Sequence, residues 1–177
     1  ALRQFSRKRW APAATELAAF LKNHPDDSRS ADARYLLAES LVQSRHYPEA
    51  RKHLIQFLSQ TNDHRYTRQA EFRAAECAFH ADDHVAARSE LEAFRQRYPD
   101  DALSPYVMAY LGQIALTADD GQTAITMFSE ALQSEPDSRL ESQCRFGLAQ
   151  AHELLGHAKD ALRLYGQTVE LVDRHSQ

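Results

Sequence analysis

The 177 residues carry a formal net charge of −4 and are 43% hydrophobic and 26% charged, as in ordinary soluble proteins. Without a broad excess of basic residues, this composition argues against binding to nucleic acid or to an anionic membrane surface. No apolar run approaches the roughly 18 residues of a transmembrane helix, so we expect no direct membrane insertion. Only five glycines and six prolines interrupt the chain, which favours long helices over many short strands.

The hydrophobic pattern predicts ten helices and no strand. In chain order they cover 1–7, 10–23, 29–44, 47–60, 66–80, 84–97, 103–118, 121–134, 139–155 and 158–173. Prolines mark several of the boundaries: Pro25, Pro99 and Pro136 each end a helix because they lack a backbone N–H, and Pro48 fits a first turn. The Asp or Ser residues that follow Pro25, Pro99 and Pro136 are turn formers, and we expect them to cap the next helix.

A repeat of 37 residues runs through these helices. Small residues at this interval precede each hydrophobic run, at Ala13, Ala50, Ala87, Ala124 and Ala161. A bulky residue follows four positions later, on the same helix face. A second small position recurs in the preceding helix, at Ala38, Ala75, Gly112 and Ala149. Helices that cross closely require small residues at the crossing point, so the pattern predicts a stack of helical hairpins.

This pattern resembles the tetratricopeptide repeat (TPR), most closely at Leu111–Gly112, Ala124, Phe128, Ala131–Leu132 and Pro136. The resemblance implies an all-α, right-handed superhelix of helix-turn-helix repeats, longer here than the usual repeat of about 34 residues. We expect one array of five repeats, at about 1–28, 29–65, 66–102, 103–139 and 140–177. The first repeat is incomplete and no polar cap is evident at either end, so we expect a piece of a longer repeat protein.

Two short segments carry a narrower resemblance. Residues 20–27 (FLKNHPDD) and 35–39 (YLLAE) are similar to repeats of bacterial envelope proteins, namely the Tol-Pal coordinating factor and the outer-membrane assembly lipoproteins. This similarity implies a location in the bacterial periplasm or cell envelope. The residues themselves do not identify the compartment, because no signal peptide is visible.

The family resemblance also implies a partner-binding groove, since the first helix of each TPR hairpin lines the concave surface. The groove positions of this chain that we expect to contact a partner are Tyr35, Glu39, Phe72, Glu76, Phe79, Tyr106, Gln113, Phe146 and Gln150. Aromatic rings supply contact area and amides can bond a peptide backbone, so an extended or helical segment of a partner protein would suit this surface. Alternatively, Tyr35, Phe72 and Phe146 pack between hairpins as core residues, and the two glutamates are ordinary solvated charges.

A clamp for a terminal carboxylate, as in chaperone-binding members of the family, is not expected. Those members use Lys and Asn at two groove positions. In this chain the first position holds aromatic residues or Ala, and the second holds Glu39, Glu76, Gln113 and Gln150. Glutamates would repel a carboxylate rather than bind it.

No catalytic, metal or cofactor site is expected. The densest cluster of metal-ligating residue types is His80, Asp82, Asp83 and His84. A predicted helix break removes the i, i+4 geometry with which two histidines on a helix chelate a metal. His152 and His157 lie five residues apart across Gly156, which makes them a weaker candidate still.

Nucleophilic and phosphate-binding chemistry is not indicated either. We expect Cys77 and Cys144 to be buried structural thiols, and they do not form the disulfide framework of a small secreted domain. Neither a glycine-rich phosphate loop nor a Gly-x-Ser-x-Gly elbow occurs. The basic segment 7–9 carries too little charge for a nucleic-acid site.

The sequence therefore predicts a non-enzymatic scaffold that binds a peptide or protein segment in its groove. A structural or self-assembling element is the first alternative. The incomplete first hairpin is expected to expose Leu17, Phe20 and Leu21, which would favour homo-oligomers through exposed repeat ends. An accessory domain of an enzyme that lies outside this chain is the second alternative.

Overall fold

The structure is a computed structural model that describes the backbone of residues 1–61 and 63–175 and the side chains of this part up to residue 169. Within the described residues it contains ten α-helices and no strand. They are α1 (Leu2–Ser6), α2 (Trp10–Asn23), α3 (Ser30–Gln43), α4 (Tyr47–Gln60), α5 (Thr67–His80), α6 (His84–Arg97), α7 (Ser104–Thr117), α8 (Gly121–Gln133), α9 (Ser138–Leu154) and α10 (Ala158–His175). Every predicted helix is present, with ends within two residues of the prediction.

The chain divides into two compact units, Ala1–Glu90 (unit 1) and Leu91–Gln177 (unit 2). In unit 1, α1 packs on α2, α2 on α3, α3 on α4 and α4 on α5, and α3 also contacts α5. In unit 2, α7 packs on α8, α8 on α9 and α9 on α10, and α7 also contacts α9. Both units therefore consist of helices that pack on their neighbours in sequence, with first helices of successive hairpins in contact. None of the helices in the described part of the chain is long and apolar enough to cross a membrane.

The small residues of the repeat lie where helices approach most closely, as predicted. In unit 1, Ala13, Ala50 and Ala75 have no exposed surface. In unit 2, a Cβ atom placed on Gly112 would lie 2.9 Å from the ring of Phe128, nearer than real Cβ contacts come. These small residues thus fix the register of the repeat, because a larger residue at the same position would force a helix to move.

Each helical hairpin closes with the same turn. Residues in the left-handed region recur every 37 positions, at Lys8, Arg45, Asp82, Asp119 and Gly156. The next residue then donates its N–H to the carbonyl five positions back, as from His46 to Leu41 (2.9 Å) and from His157 to His152 (2.8 Å). This arrangement is the Schellman motif, which satisfies carbonyls left open at a helix end. The first four turns adopt it without glycine, although a left-handed conformation costs other residues about 1–2 kcal/mol.

The predicted aspartate cap is present at the start of α9, whereas α3 and α7 begin without a side-chain cap. Asp137 accepts the backbone N–H groups of Arg139 (3.0 Å) and Leu140 (3.1 Å) at the start of α9. Asp27 accepts the N–H of Arg29 (2.9 Å), which precedes the first residue of α3, so this bond closes a local turn and does not cap the helix. The bonds of Asp137 satisfy donors that a helix N-terminus leaves open, so Pro136 and Asp137 together end one hairpin and begin the next.

The predicted exposure of the first hairpin is wrong. Leu17 is only 3% exposed, and Phe20 and Leu21 are partly buried against the core of unit 1. The reason is that α2 is covered from two sides, by α3 and by the short α1. Phe5 of α1 also meets the ring of Trp10 edge-on, with the ring centroids 5.3 Å apart. Packing of α2 on α3 as well as on α1 therefore covers the face that is expected to be open.

Candidate partner-binding surface

In unit 1, the two predicted groove glutamates are joined by one arginine. The guanidinium of Arg73 on α5 donates to Glu39 on α3 (Nε to Oε2, 3.1 Å) and to Glu76 on α5 (Nη1 to Oε2, 2.6 Å). Both glutamate side chains are only 13% exposed. Gln43 adds a further bond to Glu39 (2.9 Å). The carboxylates are therefore not ordinary solvated charges, because they neutralise a partly buried cation and link two first helices.

The electrostatics of this cluster stabilise the charged form of Arg73. Burial opposes the charge on Arg73, but the carboxylates of Glu76 and Glu39 outweigh it and raise the pKa of Arg73 above its usual value. Both glutamates could be predicted from the repeat pattern, whereas Arg73 was not predicted. A signal was present, because Arg73 lies three positions before Glu76 on one helix, a spacing at which ion pairs form.

The first two rings of the predicted row lie in the core of unit 1. Tyr35 is 8% exposed, and its ring stacks on Tyr66 with the centroids 4.2 Å apart. Burial raises the pKa of Tyr35 to about 12. Phe72 is 4% exposed, whereas Phe79, one helical turn beyond Glu76, is half-buried beside His84. The structure therefore places the rings of Tyr35 and Phe72 beneath the surface and only part of Phe79 on it.

In unit 2, Tyr106 links α7 to the start of α9. Its ring is 36% exposed, and its hydroxyl donates to Asp137 (2.5 Å), the residue that caps α9. This bond raises the pKa of Tyr106, and burial adds to the effect. The same bond, helped by the N–H of Leu140, lowers the pKa of Asp137. The tyrosine is thus held in one orientation while about a third of its surface faces solvent.

Phe146 on α9 occupies the repeat position of Tyr35 and Phe72 but has a different environment. Its side chain is 48% exposed, and its ring lies 5.6 Å from that of Tyr165 on α10. The hydroxyl of Tyr165 donates to Glu153 (2.7 Å), which raises the pKa of that hydroxyl to about 12, with a smaller contribution from burial. Unit 2 therefore exposes two aromatic rings, Phe146 and Tyr106, on its first helices.

The predicted amides accompany these rings. Gln113 lies on α7 and Gln150 on α9, and both side chains are half-buried. An amide carries both a donor and an acceptor, so it can pair with the N–H or the carbonyl of an extended backbone. The arrangement in unit 2 can therefore offer apolar contact and backbone hydrogen bonds on neighbouring helices.

The described residues contain no group of three or more His, Cys, Asp or Glu side chains that could hold a metal ion. Cys77 and Cys144 are fully buried, as predicted, and burial is the main reason that the pKa of each thiol rises to about 12. The thiolate, which is the reactive form, is strongly disfavoured at both positions. One histidine pair does come together: Nδ1 of His152 lies 3.3 Å from Nδ1 of His157.

Stacked helical hairpins with small residues at every crossing define a helical repeat protein. The sequence profile of the tetratricopeptide repeat family matches residues 1–54 and 35–102, which together make up more than half of the chain. The chain therefore belongs to the tetratricopeptide repeat family. No curated protein sequence matches it significantly.

Solved structures share the fold over nearly the whole chain. A crystal structure of MamA aligns with a TM-score of 0.74 and 14% identity, over 98% of this chain and 88% of MamA. The nearly identical TPR-like repeats of a Podosopora anserina kinesin light chain align with a TM-score of 0.72 and 13% identity, over 99% of this chain and 92% of theirs. A chain of the APC/C hetero-tetramer Cut9–Hcn1 aligns with a TM-score of 0.53 and 15% identity, over 95% of this chain and 38% of its own length.

These alignments confirm the predicted fold class, an all-α superhelix of the TPR type. At such low identity they show the fold alone. The narrower resemblance to the Tol-Pal coordinating factor and to outer-membrane assembly lipoproteins finds no support among them, and it stays a prediction together with the periplasmic or envelope location.

Proposed function

We propose that this chain is a non-enzymatic scaffold that binds a peptide or protein segment along its first helices. The observation that carries the proposal is the pair of exposed rings, Tyr106 and Phe146, on the two first helices of unit 2. Large aromatic side chains that face solvent on a repeat surface are typical anchors for a partner. Membership of the TPR family and the hetero-tetrameric state of Cut9–Hcn1, a structural neighbour, support a protein as the partner.

The predicted groove residues take different parts in this binding. Phe146 and Tyr106 supply apolar contact area, and Gln113 and Gln150 bond the backbone of the bound segment. In unit 1, Glu39 and Glu76 contribute a polar surface that Arg73 holds in place, with the exposed part of Phe79 beside it. Tyr35 and Phe72 support the first helices from beneath. The contacts in unit 2 account for most of the affinity, because Tyr106 and Phe146 are the Phe, Tyr or Trp residues of the described chain that are exposed.

Peptide display on the 177-residue chain, followed by calorimetric titration of the selected peptide, tests the proposal. Loss of a buried aromatic anchor costs about 2 kcal/mol or more of binding, so Phe146→Ala should weaken binding by a factor of roughly 30. Ile55→Ala is the matched control, because Ile55 is also 48% exposed but lies on a second helix, α4. Equal affinities of both variants and the wild type would place the binding site elsewhere.

Self-assembly is the second candidate, and one observation favours it. Leu162 and Val169, seven residues apart on α10, are 72% and 60% exposed. Light scattering over a wide concentration range would detect self-association. The double substitution Leu162→Ser with Val169→Ser should then abolish it, and a chain that stays monomeric at high concentration would exclude this candidate.

A further inference from the structure

The last hairpin turn places two imidazoles side by side on the surface of unit 2. His152 lies in the final turn of α9, and His157 follows the helix end, yet their Nδ1 atoms are 3.3 Å apart. Their separation of five residues does not match the i, i+4 spacing of a helical chelate, so the sequence alone predicts no metal site at this pair. The structure brings them together by a different route.

That route is the Schellman motif at the end of α9. Gly156 adopts the left-handed conformation (φ +75°) and reverses the chain direction. The N–H of His157 then bonds to the carbonyl of His152 (2.8 Å), and the N–H of Gly156 bonds to that of Glu153 (2.9 Å). In this motif the residue after the left-handed one lies beside the third residue from the helix end, and an apolar pair usually fills the two positions. Here both positions are histidine.

The distance between the two nitrogens suits a metal ion. Zinc is bound by histidine nitrogen at about 2.0–2.1 Å with tetrahedral angles, which sets two coordinating nitrogens about 3.3–3.4 Å apart. The backbone bonds of the motif fix the backbone positions of the two histidines before any ion binds, so only their side-chain rotamers need to be ordered. The C-terminus of α9 adds the negative end of a helix dipole, which favours a cation.

The other hairpin turns provide an internal comparison. The equivalent pairs are Gln4 and Arg9, Leu41 and His46, Ala78 and Asp83, and Ala115 and Asp120. None of these pairs combines two good ligands for a borderline transition metal, which prefers imidazole and thiolate. The second turn still carries one histidine, His46, in the position of His157. All five turns share the same backbone geometry, but two imidazoles occupy the paired positions only in the last turn.

We propose that His152 and His157 form a surface site for a divalent transition-metal ion such as Zn²⁺, each coordinating through Nδ1. Water, or a group of a bound partner, completes the coordination shell. Such a site holds its metal reversibly and is not needed for folding, because the turn is already closed by backbone hydrogen bonds. It differs from the structural zinc sites of small domains, in which four protein ligands are required for the fold.

Calorimetric titration of ZnCl₂ into the 177-residue chain near neutral pH tests the proposal. We expect one equivalent to bind with an affinity that His152→Gln and His157→Gln each lower at least tenfold. His46→Gln is the matched control, since it removes a histidine from the same position of an equivalent turn, and it should leave that affinity unchanged. Circular dichroism of all variants should superimpose, because the substituted side chains are not in the core.

Nitrogen NMR of the imidazole rings gives an independent readout. Zinc should shift the Nδ1 resonances of two histidines together, and both shifts should disappear in either variant of the pair. The proposal is overturned by an absence of zinc binding, by equal binding in the His157→Gln variant and the wild type, or by an equal loss in His46→Gln. Shifts that report Nε2 coordination would also contradict it, because the structure brings only the Nδ1 atoms together.

Discussion

Phe128 of α8 shows most clearly how single residues determine the packing of this repeat. Its ring is 1% exposed and lies between two glycines, one on each neighbouring first helix. A Cβ atom at Gly112 on α7 would approach the ring to 2.9 Å, and one at Gly147 on α9 to 2.4 Å. Both distances are too short for real contacts, so each glycine is required by the ring and not by backbone conformation.

Gly147→Ala is therefore expected to destabilise the protein by about 1–3 kcal/mol through overpacking, even though alanine is the better helix former. Gly166→Ala is the matched control: Gly166 also lies in a helix, α10, but has no atom within 4 Å of an added Cβ. This control should stabilise the protein by about 0.5–1 kcal/mol. Urea denaturation measures both, and equal shifts of the two variants would disprove the packing of Phe128 between α7 and α9.

Arg45 presents the opposite case, in which a glycine is missing. It is exposed and adopts φ +61° in the turn between α3 and α4. Arg45→Gly should stabilise the protein by about 0.5–1 kcal/mol, since relief of the left-handed strain exceeds the extra entropy of the unfolded chain. Gly156→Ala, at the equivalent position, should destabilise it by about 1 kcal/mol. Thermal melting of both variants checks the pair, and a lower melting temperature for Arg45→Gly would contradict the assigned turn.

At the scale of elements, α3 and α5 are joined by the ion pairs of Arg73 as well as by apolar packing. Arg73→Met should cost about 1–3 kcal/mol, because it leaves the largely buried carboxylates of Glu39 and Glu76 without their cation. The triple variant Arg73→Met, Glu39→Gln, Glu76→Gln should recover most of this loss, since no buried charge then remains unpaired. Urea denaturation of both variants provides the measurement. A triple variant less stable than Arg73→Met would show that the charges themselves stabilise the packing.

The helices and their crossings could be predicted from sequence because they depend on local chemistry that recurs every 37 residues. Helix-ending prolines, turn-forming aspartates and small residues at helix crossings each recur at a fixed position of the repeat. Arg73 and Gly147 occupy the same position of the repeat, and Leu36 and Tyr110 occupy it in the other repeats. Because these four residues have nothing in common, the repeat pattern does not mark Arg73 or Gly147. Their roles depend on the particular side chain that a neighbouring helix presents, and only three-dimensional packing determines that.

The same distinction applies to the candidate site. The repeat predicts that aromatic side chains recur at one groove position and glutamates or glutamines at another. The exposure of each ring, however, depends on which neighbouring side chains cover it. Tyr35 is covered by Tyr66, from the segment between α4 and α5. Phe146 shares its repeat position and is 48% exposed. Sequence left both possibilities open for these rings, core or surface, and the structure assigns Tyr35 to the core and Phe146 to the surface.

For the molecule as a whole, Phe72 and Phe146 therefore provide a test of which repeats are free to bind. They are the same residue at the same repeat position, yet Phe72 is 4% exposed and Phe146 is 48% exposed. Phe72→Ala should destabilise the protein by about 3–5 kcal/mol, because it removes a buried ring and leaves a cavity. Phe146→Ala should change the free energy of unfolding by less than about 1 kcal/mol, because half of its surface already contacts water.

Urea denaturation gives both values, and binding of a display-selected peptide gives the complementary result. We expect Phe146→Ala to retain its stability and lose affinity. Phe72→Ala should lose stability while affinity, measured where the variant is still folded, changes much less. Equal destabilisation by the two substitutions would mean that Phe146 is a core residue like Phe72. The first helices of unit 2 would then no longer offer an accessible aromatic anchor at this position, and Tyr106 alone would have to supply it.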